Sequence, residues 1–165
     1  MNAVDQAAGL RQWAGTQCAP EAPRAHAAPS RGTHAGAPPR TLVVVGLPGA
    51  SPDQARRVVT LLEHWAARGQ RWVSDPARWR VVPLAVTSPH LPALLDQQSR
   101  WALWVGSDPE AFRRAFAVLR RLHERQGPRR LLAVHAPELP RQGLLNNLRQ
   151  AAWGCLGIDL LVMAP

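Results

Sequence analysis

Six histidines stand at positions 26, 34, 64, 90, 123 and 135 of the 165-residue chain. No two are four residues apart and no cysteine pair lies near them, so the spacing that puts two metal ligands on one helical face is missing. The residues give no metal site. Ser51 and Ser107 carry hydroxyls, but neither stands in the strand-to-helix elbow that exposes a nucleophile, and both precede helical stretches as caps. Cys155 falls on the apolar side of a helical stretch, which predicts a small buried hydrophobe with no redox role. His135 closes an apolar run, as a polar residue at a strand end. The sharpest exclusion comes from lysine. All 20 basic residues are arginine, whereas lysine-dependent phosphate loops, Schiff-base enzymes and kinases need a lysine at a fixed place. That chemistry is closed to this chain's own side chains.

The formal charge of +9 suits a phosphate backbone, since basic surfaces gain affinity by releasing counterions. The arginines are scattered, however, and fall mostly on the polar sides of helical stretches. Arg113, Arg114, Arg120 and Arg121 make the one local cluster. The scatter argues against nucleic acid as the main partner, and exposure of that cluster would favour it. An apolar fraction of 46% supports one packed core. No run approaches the roughly 18 uncharged apolar residues that span a bilayer. The start, MNAVDQAAGLRQ, has an acid and no apolar segment of a secretory signal, and two cysteines give no disulfide framework. The expectation is a soluble cytoplasmic chain.

These residues must be held by elements, and the chain divides into three parts. Residues 1 to 14 hold helix formers with Val4, Ala7, Ala8, Leu10, Trp13 and Ala14, a stretch too short to keep a helix alone in water. It is expected to order on a partner. Residues 15 to 40, with five prolines and no apolar period, form a disordered linker. Residues 41 to 165 alternate strand and helix. TLVVV at 41 to 45 is a continuous apolar run suited to a strand covered on both faces. Ser51 and Pro52 then open a helix whose face is Ala55, Val58, Val59, Leu62, Trp65 and Ala66, closed by Gly69. Residues 79 to 88 make a second strand, and Pro83 puts it at a sheet edge. A third strand runs over 101 to 107. Ser107 and Glu110 have capping-box spacing ahead of a helix faced by Phe112, Ala115, Phe116, Leu119 and Leu122 and closed by Gly127 and Pro128. A fourth strand starts at 130, a helix spans 143 to 156 with Gly157 closing it, and a last strand follows. Such alternation predicts a three-layer α/β fold, a mostly parallel sheet with helices on both faces. Trp65 is assigned to the core, and Trp101 and Trp104 to core or sheet-edge packing rather than a docking surface.

Two features together resemble a known family. Asp5-Gln6-Ala7-Ala8-Gly9-Leu10-Arg11 resembles the DQAxxLR motif that opens the flagellar-number regulators of the MinD/ParA class, called FlhG or FleN. There as here, the motif precedes a linker and then a strand. From Val43 to Val73 the chain follows the family's strand, phosphate loop, first helix and ARGQRV-like turn, here Ala67-Arg68-Gly69-Gln70-Arg71-Trp72-Val73. Asp108, Pro109, Ala115 and Phe116 fall on a family strand-to-helix segment, and Leu156 to Leu160 on its last strand. The resemblance covers about two thirds of the chain and implies a degenerate, shortened MinD/ParA-like fold.

The departures fall on the nucleotide site. Where the family has KGGxGKT, this chain has Leu47-Pro48-Gly49-Ala50-Ser51-Pro52-Asp53-Gln54. Pro48 stands at the signature lysine, Pro52 removes an N–H, and Asp53 stands at the phosphate-binding lysine. Beside Gly49, these replace a cradle of donors and a cation with fewer donors and an anion, which would repel a triphosphate. No Walker B aspartate stands in residues 74 to 100, and the family's terminal amphipathic membrane helix has no counterpart before Pro165. The implied protein is a pseudo-ATPase without cofactor or stable membrane attachment. The resemblance gives it the signal-recognition-type flagellar GTPase (FlhF) as partner, met and stimulated through Asp5, Gln6, Ala7, Leu10 and Arg11. It extends the partners to a flagellar transcription activator or switch-complex protein, and the location to a cell pole where the GTPase recruits it. The alternatives are a basic module for a transcription factor or nucleic acid, and a divergent MinD-like ATPase. Oligomeric state stays open.

Overall fold

A computed structural model describes residues 38–163. The motif residues Asp5, Gln6, Ala7, Leu10 and Arg11, with most of the expected linker, lie outside the described residues. Among the described residues five strands follow one another: β1 (Arg40–Val45), β2 (Trp79–Leu84), β3 (Trp101–Val105), β4 (Arg130–His135) and β5 (Asp159–Leu161). Four helices separate them: α1 (Pro52–Ala67), α2 (Leu91–Gln97), α3 (Ala111–Glu124) and α4 (Asn146–Leu156). All strand pairs are parallel and the order across the sheet is β2-β1-β3-β4-β5. The three-layer α/β architecture expected from the alternation is the one observed.

The continuous apolar run of β1 is explained by its two faces. Val43 and Val45 enter one core with Leu103, Leu119, Leu131 and Leu148, while Leu42 and Val44 enter another with Val58, Leu62, Trp65 and Val134. Alternate side chains of a strand point to opposite faces, so a strand buried on both must be apolar throughout. The α2, α3 and α4 helices cover the first face through Leu91, Ala115, Leu119, Leu122, Leu148 and Ala152. On the second face α1 lies over the sheet, and the segment after it adds Val73. Burial of a leucine such as Leu62 contributes about 1.5–3 kcal/mol.

Pro83 sits in β2, paired only with β1 on one side of the sheet. The edge position expected from its missing N–H is confirmed. Gly157 closes α4 in the left-handed conformation, φ 63°, and Gly69 follows α1 at φ +83°. Several local expectations are corrected. Ser107 does not cap α3: the N-cap is Glu110, and the Asp108 carboxylate accepts from the Glu110 N–H at 3.0 Å. The second strand stops at Leu84 instead of 88, and residues 91 to 97 add the short helix α2. α4 begins at Asn146, because Gln142 (ψ 141°) and Gly143 (φ 92°, ψ −116°) break helical geometry. Cys155 is exposed, not buried: it follows Leu148 and Ala152 at helical spacing, but the buried positions of α4 end at Ala152 and residues 153–155 are exposed.

Candidate functional site

Strand order fixes where a ligand can sit. β1 is flanked by β2 on one side and β3 on the other. The connections leaving β1 and β2 pass over opposite faces, because α1 belongs to one core and α2 to the other. This divergence opens a crevice at the carboxyl ends of β1 and β3, the switch point at which open parallel sheets bind ligands. An open cleft of about 780 Å³ lies there. It is lined by the residues that follow β1, β2, β3 and β4 and by one side of α3.

The loop after β1 forms one wall. It begins at Gly46, whose φ of +82° and close neighbours, Leu103 Cδ1 and the Trp104 carbonyl, leave little room for a side chain. Pro48 and Gly49 line the cleft, whereas Pro52 and Asp53 do not. Ser51 precedes α1 in extended conformation and makes no side-chain cap bond. Asp53 is exposed on the first turn of α1, where Arg56 Nη1 meets its carboxylate at 3.3 Å. Asp53 thus stands in the first turn of α1 with its carboxylate beside Arg56, outside the cleft lining. A carboxylate in the first helical turn also complements the helix dipole.

The cations of the cleft come from elsewhere. Arg57 projects from α1 over the Trp104 ring, 5.5 Å from its centroid. Arg114 and Arg121 reach it from α3. Arg114 pairs with Asp108 across the loop after β3. Arg114 and Arg121 are two members of the cluster visible in the sequence, whereas nothing in the spacing of Arg57 and Trp104 brings them to the same place. Only the order of strands does that.

The rest of the cluster is accounted for on α3. Arg113 meets Glu110 at 3.1 Å and Arg120 meets Glu124 at 3.5 Å, and both are exposed. His135 ends β4 as expected and is buried, 7% exposed. Its Nδ1 lies 2.9 Å from the Ala136 carbonyl, which selects the Nδ1–H tautomer as donor. Among the described residues Nε2 is buried without a partner, and the ring packs edge-on against Trp65 at 5.8 Å. Trp65 and Trp101 are core residues, while Trp104 is half-buried at the cleft. Among the described residues, no group of three or more His, Cys, Asp or Glu side chains could hold a metal. No known protein-family model matches the chain, and no curated protein does.

Proposed function

We propose that the protein is a non-catalytic regulator of flagellar number and assembly that binds and stimulates the signal-recognition-type flagellar GTPase. The observation that carries this reading is the Asp5-Gln6-Ala7-Ala8-Gly9-Leu10-Arg11 sequence ahead of a Pro/Ala-rich stretch and a β-α unit. The parallel sheet supports the layout of a MinD/ParA-like domain. The loop after β1 supports the absence of ATP turnover, since it has no lysine and carries Pro48 and Pro52. A glutamine amide can orient an attacking water in a partner's GTP site, so Gln6 is assigned the chemical contribution. Asp5 accepts from backbone N–H groups, Ala7 and Leu10 give the apolar contact, and Arg11 docks as a cation.

The test is single-turnover GTP hydrolysis by the GTPase with the full chain and with a peptide of residues 1 to 17. Both are expected to raise the rate. Gln6→Ala should lower stimulation more than binding, and Leu10→Asp should abolish binding itself. A saturating wild-type chain that leaves the rate unchanged overturns the reading.

A second reading has one observation in its favour. Arg113, Arg114, Arg120 and Arg121 are all exposed, as a basic module for nucleic acid or a transcription factor requires. Three of the four are paired with Glu110, Asp108 and Glu124, which lowers the field such a surface could offer. The regulator reading is preferred for that reason.

A further inference from the structure

The switch-point cleft holds more positive charge than the fold uses. Its lining includes three guanidiniums, those of Arg57, Arg114 and Arg121, and one carboxylate, Asp108, which is taken by Arg114. Among the described residues Arg57 and Arg121 have no carboxylate partner; Arg57 has only a 3.4 Å bond to Gln54 and the Trp104 face. Two uncompensated cations beside a low-dielectric concavity focus a positive potential into it. Guanidinium forks match planar oxyanions and bind them bidentately. The lining also includes the apolar side chains of Leu84, Val105 and Val118. A cleft of about 780 Å³ is within the range that encloses small molecules.

We propose that this cleft binds a small organic dianion, with carboxylate or phosphate-monoester oxygens held by Arg57 and Arg121 and an apolar body lying against Trp104 and Val118. The site uses guanidiniums where a nucleotide loop would use backbone amides and a lysine. The lining residues fall between Gly46 and Ala136, and the binding assay reads no GTP hydrolysis, so its outcome is separate from that of GTPase stimulation.

Two probes carry the required chemistry: phthalate, with two carboxylates on a flat ring, and phenyl phosphate. Each is titrated into the full chain at about 0.15 M salt, where loose surface charge is screened, with tryptophan fluorescence and calorimetry as readouts. Saturable binding of at least one is expected, and the preferred probe identifies the oxyanion. Arg57→Gln and Arg121→Gln should each weaken it roughly tenfold, as loss of one charge-assisted contact does. Both arginines are exposed, so melting temperatures should not move. Trp104→Phe should remove the fluorescence change, and Arg149→Gln, on α4 outside the cleft, should leave binding as it was. The proposal is overturned if neither probe saturates or if Arg149→Gln weakens binding as much as Arg121→Gln. It also fails if inorganic phosphate binds as tightly as phenyl phosphate, or if Mg-ATP displaces both at lower concentration. A poly-glutamate peptide that binds where both probes fail would reassign the cleft to an acidic protein segment.

Discussion

Gly46 and Gly157 both hold backbone with positive φ, +82° and +63°, but a methyl group added at each meets different surroundings. Nothing lies within 4 Å of a Cβ at Gly157. Gly157→Ala should therefore cost only the left-handed conformation, about 1 kcal/mol. At Gly46 the same atom would come within 3.3 Å of Leu103 Cδ1 and 3.4 Å of the Trp104 carbonyl. Leu103 is fully buried, so it yields poorly, and Gly46→Ala should cost about 2 kcal/mol or more. Urea unfolding of the two variants beside the parent chain makes the comparison, with equal slopes required. Equal losses would mean that the wall of the cleft yields easily. At this scale the sequence was a poor guide to direction. Ser107 and Cys155 were marked by type and spacing, yet one does not cap and one is exposed. Spacing tells which residues share a side of a helix, not how far along that side the core extends: Cys155 is in phase with Leu148 and Ala152, yet the buried positions of α4 end at Ala152.

Elements were far more legible, because burial on two faces or one leaves a period that single errors do not erase. β1, α1, α3 and the edge position of Pro83 all follow from such patterns. The helix α2 was missed: seven residues containing Pro92 are too few to display a period. The start of α4 was placed early because Gly143 stands inside an otherwise helical composition, and its φ of 92° becomes evident only in the folded backbone. The energetics of α3 separate its two sides in the same way. Its exposed pairs, Arg113 with Glu110 and Arg120 with Glu124, are each worth about 0.2–0.5 kcal/mol. Arg113→Gln and Arg120→Gln should thus lower stability by less than about 0.5 kcal/mol each. Leu119, fully buried between α3 and the sheet, should cost about 2–5 kcal/mol as Leu119→Ala. Thermal melts of the three variants decide this. An Arg113→Gln loss comparable to that of Leu119→Ala would show that the charged side of α3 holds the fold.

For the whole molecule the question is what a net charge of +9 does at an anionic membrane. Each arginine near such a surface contributes about 1 kcal/mol, falling off within a Debye length of about 8 Å at physiological salt and about 30 Å at 0.01 M. Lasting attachment needs apolar insertion as well. No described helix is long and apolar enough to cross a membrane. Among the described residues, the large hydrophobic side chains that stand exposed are Trp153 and Leu161. Trp153 belongs to α4 and Leu161 to β5; two side chains on different elements do not make the continuous apolar face of an interfacial helix. Three arginines of the α3 cluster already face carboxylates, which further reduces the net pull. From the described residues, attraction is therefore expected to be electrostatic. The full chain is expected to sediment with phosphatidylserine-containing vesicles at about 0.01 M salt and to stay in the supernatant at about 0.15 M. Trp153→Ala should change neither result. Sedimentation that persists at the higher salt, and is lost with Trp153→Ala, would show that the surface inserts and that charge is the lesser part of its membrane affinity.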